Sequence, residues 1–430
     1  MSWTRRAVLG SSLAGLLAGV SARGASVGKR RLILVYADGG WDTSYVFDPK
    51  PGGATVEGPE VDQDIDNPDD VEALRSFGNL TVQVNPARRP AATQYFERWA
   101  RRTAVVNGLF VGAIGHPQAR ARVLTGVVGT GQLGPDLAHI AGAAHAEGLP
   151  IGCVDLSGFS SSGSLAPTAI QLGARGQLGA LLDDGVQIRP RPDGSPPMLW
   201  LPDDDDLAAL SAHRLARTEA LRVRRGTGHD RSGQRLDDLV VATERSDALR
   251  ARGEAFTELV VPGIEPSMSN QVDMALALLA GDVCQSVFMD TGLNWDTHVD
   301  TASQHTYFET LFKELDRMVG DLQSLSMLDD TLVVVISEMT RTPTRNSKGG
   351  KDHWPHTSAM LIGGGTAGGQ VLGHTDAWLQ ALPVDLDSGL PDAGGDKLTY
   401  ASFAAGVLER LDVDPGDWLA GVRPWRAGCS

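Results

Sequence analysis

Carboxylates and imidazoles recur at one kind of position in this chain, just past an apolar run. Asp38 follows "RLILVYA", Asp296 and His298 lie in "GLNWDTHVD" beyond "CQSVFMD", and Glu338 ends "TLVVVISE". Asp352 and His353 lie in "KGGKDHWPHTSAMLIGGG", in the loop before the apolar run "SAMLIGGG". Carboxylate oxygens and imidazole nitrogens are the ligands that zinc, manganese and other divalent ions take. A desolvated group of carboxylates also needs a cation or protons to neutralise it. Each residue has a plainer use as well. Asp before Gly is a turn former, Asp296 can cap a helix, and a single histidine is commonly packed or exposed. The repetition of one position is what gives the set its meaning.

The elements that must position these residues are legible as short runs. "RLILVY", "TAVVNGLF", "PIGCVDLSG", "CQSVFMDTG", "TLVVVISE" and "SAMLIGGG" read as buried strands. "GNLTVQVNP" alternates like an outer strand. Between them, "TQYFERWARR", "AHIAGAAHAEG", "QVDMALALLAG" and "TYASFAAGVLERLDV" read as helices. "HTYFETLFKELDRMVGDLQ" carries Phe308, Leu311, Leu315, Met318 and Leu322 at helical spacing. Strands alternating with helices predict an α/β fold with a largely parallel central sheet flanked by helices. In such a sheet the strand ends share one edge, where the functional crevice lies. Residues 186–262 turn polar and charged, which reads as a helical insertion or as peripheral helices. "VDQDIDNPDD" alternates Asp62, Asp64 and Asp66, but Asn67 and Ala73 stand where a calcium loop needs Gly and a bidentate acid. A solvated acidic loop is the better reading. "LIGGGTAGG" lacks the Lys-Ser/Thr of a phosphate loop and reads as a glycine turn.

The chain has 430 residues and a formal net charge of −15, which argues against nucleic acid as a partner. It does not exclude an anionic substrate in a local metal pocket. Residues 1–25 open with Arg5-Arg6, continue in a weakly apolar Gly/Ala/Leu run and end in small residues near Val20-Ser21-Ala22. This reads as a Tat-type export signal, with the Tat machinery a partner in transit and a periplasmic or secreted destination. The remainder, 26–430, is expected to be one domain without a stable membrane anchor; its oligomeric state is not legible. Cys153, Cys284 and Cys429 are too few and too scattered for a disulfide framework.

Five stretches together resemble a known family: "LILVYADGGWDTSYVFDPKP", "GHPQARARVLTG", "GLNWDTHVD", "TLVVVISEMTRTPTRN" and "GGKDHWPHTSAMLIGGG". They are similar to domain-of-unknown-function family 1501, Tat-exported bacterial proteins distantly related to the alkaline phosphatase and sulfatase superfamily. The resemblance implies an alkaline-phosphatase-like core. It also implies metal-binding places for Asp38, Asp296, His298, Glu338 and His353, with Asp352 an additional candidate and Met339 where a histidine is often found. Superfamily hydrolases carry a nucleophile just upstream of "LTG". This chain offers no hydroxyl or thiol between Gly112 and Leu124, and His116 stands near that place with Arg120 beside it.

The expected function is therefore an exported metal-dependent hydrolase of small phosphate or sulfate esters, using zinc or manganese. A metal-activated water is the preferred nucleophile, with His116 as proton carrier or ligand. Direct attack by His116, or by a hydroxyl from Thr43 or Ser44, are the alternatives. Arg120 and Arg341 could hold the anionic group, and Arg341 could instead pair with Glu338. Without a nucleophile, a non-catalytic metal-stabilised binding or scaffold protein of the cell envelope is the competing class. A phosphomutase-like transferase is a weaker third.

Overall fold

The computed structural model describes residues 30–52, 54–59, 67–126, 134–171, 187–189, 198–200, 203–225, 240 and 267–428. The stretch 1–25 expected to be an export signal, Asp62, Asp64, Asp66, Cys429 and most of 186–262 lie outside the described residues. Of the latter stretch, a 22-residue helix at Asp204–Arg225 is described. Among the described residues no helix is long and apolar enough to cross a membrane.

Eight strands form one sheet: β1 (Arg31–Ala37), β2 (Thr103–Phe110), β3 (Cys153–Asp155), β4 (Ala169–Gln171), β5 (Ser286–Asp290), β6 (Thr331–Ser337), β7 (His356–Gly363) and β8 (Gln370–Leu372). Their order is β8-β2-β7-β6-β1-β5-β3-β4. Neighbours are parallel except that β7 runs antiparallel to both β6 and β2. The sheet is thus mixed and mostly parallel, as the alternation of runs predicts. β7 can run backwards because residues 338–355 hold a short ribbon (Thr340–Arg341 with His353–Trp354) rather than a crossover helix. "GNLTVQVNP" is not one of the eight strands of this sheet, and meets its edge only through a single parallel bridge from Asn79 to Gln370. Leu80–Val84 pairs antiparallel with Ala73–Phe77, so its alternation belongs to a separate ribbon. The edge strands β4 and β8 have three residues each, too few to show a period.

The apolar runs are continuous because both faces of the central strands are covered. Ile33, Val35 and Ala37 of β1 pack on one side with Val333, Val335 and the helix Ser303–Ser324. Leu32, Leu34 and Tyr36 pack on the other with Val334, Ile336 and the helix Tyr400–Arg410. The predicted stripe Phe308, Leu311, Leu315, Met318 and Leu322 is fully buried, joined by Phe312 and Val319. Cys153 and Cys284 are buried free thiols.

His356 opens β7 inside this core, buried, with its Nδ1 unpartnered. Burial, reinforced by the Lys397 ammonium, holds its pKa down to about 4, from 6.5. The unfolded chain therefore takes up a proton at a pH where the folded chain refuses it. Stability is complete above pH 6.5 and falls as pH drops toward 4, by about 3 kcal/mol from this residue. Chemical denaturation between pH 7.5 and 4 should show His356→Asn losing stability less steeply than the parent. An equal slope in both would assign the loss to other groups.

Candidate functional site

The parallel strands end on one edge, and the antiparallel β7 begins there. β1 delivers Asp38, β6 delivers Glu338, and the segment after β5 delivers Asp296 and His298. The ribbon before β7 delivers Asp352 and His353, and the turn after β2 leads into the helix His116–Thr125. Two glycines let these segments touch. Gly39 has φ +115, and a Cβ there would lie 2.6 Å from the backbone nitrogen of Asp296. At Gly350 a Cβ would lie 2.0 Å from the carbonyl carbon of His298.

Three imidazoles converge on Asp296. His298 Nε2 lies 3.0 Å and His353 Nε2 3.3 Å from Asp296 Oδ1, and the two nitrogens are 2.9 Å apart. His116 Nε2 lies 3.4 Å from Asp296 Oδ2. In each ring the other nitrogen faces an acceptor: Nδ1 of His116 meets Glu338 Oε1 at 2.9 Å, Nδ1 of His298 meets Asp352 Oδ1 at 2.9 Å, and Nδ1 of His353 meets the Ile114 carbonyl at 2.5 Å. An acceptor on Nδ1 fixes the proton there and leaves Nε2 bare. Bare nitrogens and a carboxylate crowded together repel unless a cation lies among them. Tetrahedral bonds of about 2.0–2.1 Å put neighbouring ligand atoms roughly 3.3 Å apart, close to these spacings. The ligand atoms of His116, Asp296 and His353 all lie within 4.8 Å of one another. His298 adds a fourth donor beside them.

The expected ligands fall into two sets. Asp296, His298 and His353 offer atoms to the centre. Glu338 and Asp352 stand behind His116 and His298 instead, each spent on an Nδ1. Glu338 is fully buried and accepts further bonds from the Gly39 N–H at 2.9 Å and the Ser337 hydroxyl at 3.2 Å. Burial pushes its carboxyl up, but the His116 bond and the Gly39 N–H outweigh it and hold it below the usual range. The same Glu338 bond raises His116 against the effect of burial. Asp352 is exposed, is held low by His298, and accepts also from Asn346 at 3.0 Å. Asp38 faces Arg120 rather than the imidazoles; burial and the Glu338 charge raise its carboxyl.

The two arginines are placed differently. Arg341 is fully buried and donates to the carbonyls of Gly39, Gly40, Trp295 and Lys351 and to Asp296 Oδ1 at 2.8 Å. It has no surface for a substrate, and its carboxylate partner is Asp296, not Glu338. Burial pushes Asp296 up, yet the bond and charge of Arg341 bring it below its ordinary value. Arg120 is partly exposed, at 31%, and lies 4.6 Å over the Phe159 ring. Thr43 and Ser44 are buried, their hydroxyls bonded to Thr340 and Asp42, so neither reaches the cluster. His356 lies in the core, apart from it.

Sequence reasoning missed Asn346, which donates to both His298 O and Asp352. It also missed Lys351, fully buried 2.8 Å from Asp42 Oδ2. Asn346 lies in the quoted "TRTPTRN" stretch, but nothing in its type or spacing marks the role.

The family whose description reads "Protein of unknown function (DUF1501)" matches residues 29–385. No curated protein matches the chain by sequence. Among solved structures, the chain is similar to Ps i-CgsB in complex with k-i-k-neocarrahexaose, at 10% identity and a TM-score of 0.41, covering 92% of this chain and 75% of that one. The PsFucS1 sulfatase from Pseudoalteromonas sp. follows at 9% and 0.39, covering 94% and 72%. A protein in the alkaline phosphatase superfamily from Vibrio parahaemolyticus stands at 8% and 0.38, covering 96% and 76%.

Removing a group that orients a ligand typically weakens metal binding about 10–100-fold. Asp352→Asn, at an exposed position, should weaken zinc binding by that factor while leaving thermal unfolding of the apoprotein nearly unchanged. Isothermal titration of metal-free protein with zinc reads the affinity. Parent-like affinity would remove Asp352 from the set that orients His298.

Proposed function

We propose, for a chain that belongs to the family described as "Protein of unknown function (DUF1501)", an exported metal-dependent hydrolase of phosphate or sulfate esters. The single observation that supports this most is the convergence of bare imidazole nitrogens on Asp296 at the strand-end edge. Asp296, His298 and His353 would hold one divalent ion, zinc in preference to manganese because two of three donors are imidazoles. Three protein ligands leave a position open, the pattern of catalytic rather than structural sites. When bound, such an ion supplies Lewis acidity and lowers the pKa of water in contact with it.

The chain's own groups do the rest. His116 is anchored through Nδ1 by Glu338 and presents Nε2 on the side of Asp296 Oδ2, where it can take a proton and hand it to a leaving oxygen. Glu338 fixes the tautomer and stabilises the imidazolium that forms. Among the described residues beside the cluster, Arg120 is the cation placed to meet an anionic ester, since Arg341 and Lys351 have no exposed surface. Arg341 and Asp352 act on position alone. The N-terminal residues 1–25, with Arg5-Arg6, would direct Tat export to the periplasm or beyond, and 26–430 would form a single domain.

A second reading has its own support. No hydroxyl of Thr43 or Ser44 faces the cluster, so a metal-stabilised binding protein of the envelope needs no further assumption. Metal analysis of purified protein, alongside a panel of aryl phosphate and sulfate esters, separates the two. The expected result is one zinc per chain, turnover, and a loss of at least about 100-fold in His353→Ala, in line with loss of a metal-borne step. Absence of bound metal in the parent overturns the hydrolase reading. Metal without turnover of any ester favours the binding protein.

A further inference from the structure

His116 and Arg120 are one turn apart and share a face of the helix His116–Thr125. Two apolar side chains flank that face. Ile114, just before the helix, is 57% exposed, yet its backbone is pinned. The Val111 and Gly112 N–H groups donate to the Pro355 carbonyl, and the Ile114 carbonyl accepts from His353 Nδ1. Phe159 lies on the Arg120 side, its ring 4.6 Å from the guanidinium carbon and edge-on to Tyr36 at 5.8 Å. It remains partly exposed. Its loop is fixed by the buried Asp155, the last residue of β3. Asp155 Oδ1 accepts from the Ser157 N–H and hydroxyl and from the Gly158 N–H, and its Oδ2 from the Ser160 hydroxyl. The Phe159 N–H in turn donates to Ser157 Oγ at 2.9 Å. A single exposed aliphatic residue needs no explanation. Here two apolar groups are held beside the helix face that carries His116 and Arg120. The flank behind His298 differs in kind, with an exposed Asp352 bonded to Asn346.

We infer that the alcohol part of the ester is apolar, an aryl or branched alkyl group rather than a polyol, and that Ile114 and Phe159 form its subsite. This rests on the hydrolase reading and names the organic half of the substrate. Under that reading Arg120 meets the anionic group and His116 meets the leaving oxygen. The alcohol carbon is one bond beyond that oxygen. The group it carries therefore lies along the His116–Arg120 face, where Ile114 and Phe159 stand. An apolar group placed there removes its own surface and theirs from water. A hydroxyl-rich group would give up hydrogen bonds to water against the same side chains. Both side chains are set in place by their backbone bonds before a ligand arrives, so binding costs little ordering.

Phosphonates test this without turnover, because carbon replaces the bridging ester oxygen. Zinc-loaded protein would be titrated calorimetrically with methylphosphonate, phenylphosphonate and hydroxypropylphosphonate, at a pH where all three are dianions. Only the organic group then varies. Phenylphosphonate should bind at least about tenfold more tightly than methylphosphonate, and hydroxypropylphosphonate should bind like methylphosphonate. Ile114→Ser and Phe159→Ser should each shrink the phenyl preference, and Phe159→Leu should retain more of it than Phe159→Ser. Val299→Ser is the control. Val299 follows His298 in the chain and is 64% exposed, and its loss should leave the preference at the parent value. Equal affinity for the phenyl and methyl probes overturns the inference, as does binding of no probe, or a parent preference in both Ser variants. Hydrolysis of 4-nitrophenyl phosphate and 4-nitrophenyl sulfate is measured on the same samples. Turnover without a phenyl preference sinks this inference and leaves the hydrolase reading standing. A phenyl preference that falls in both Ser variants, without turnover of any ester, supports the apolar subsite and sinks the hydrolase reading.

Discussion

The guanidinium of Arg341 holds the edge of the sheet together. It is fully buried, and it ties the Gly39–Gly40 turn after β1, the Trp295–Asp296 segment after β5 and the Lys351 backbone before β7 into one unit. A charge taken from water is costly unless its hydrogen bonds are met and an opposite charge is near. Here the backbone carbonyls meet the N–H groups and Asp296 supplies the charge. The consequence runs outward. Asp296 is fixed in place, its carboxyl is kept ionised, and its oxygens become the point on which three imidazoles close. Gly39 is required by the same arrangement, since a side chain there would collide with the segment that Arg341 pulls in.

A second buried pair completes the platform. Lys351 Nζ reaches Asp42 Oδ2 at 2.8 Å and the Glu57 carbonyl at 2.6 Å, and its backbone N–H donates to Thr297 O. Gln304 accepts from the Asp42 N–H and donates to Trp295 O and Thr297 Oγ1. These bonds join the residues preceding His298 to those preceding His353. The two imidazoles therefore approach to 2.9 Å because their supports are cross-linked, not because either loop is rigid alone.

Much of this is legible from residue order alone. The apolar runs mark the strands, and a parallel sheet must bring their ends to one edge. Asp296 and His353 stand 57 positions apart in the chain, yet that logic alone places them together with His298. What residue order does not reveal is the division between donors and supports. Whether Glu338 or Asp352 meets a metal or a histidine depends on which imidazole nitrogen it faces. That in turn depends on neighbours such as the Ile114 carbonyl, which carries no side-chain signature. Arg341 suits a bound phosphate by residue type, but it is spent inside the protein. Its burial follows from the depth of the turn after β1, which no spacing reveals.

His353 and His356 show how local the deciding physics is. They are close neighbours in one loop-to-strand stretch. His353 sits in a two-residue ribbon strand outside the sheet, where its Nδ1 finds a carbonyl and its Nε2 faces Asp296. His356 is the first residue of β7, paired with Phe110 of β2, and there its ring enters the core and loses its proton. Both are pushed toward the neutral form, by burial first in each case. His353 has the His298 nitrogen and the Asp296 carboxylate beside its Nε2, so its neutrality yields a ligand, whereas in His356 it yields a packed side chain sensitive to acid. Residue type and proximity in sequence do not separate the two; the point at which the strand begins does.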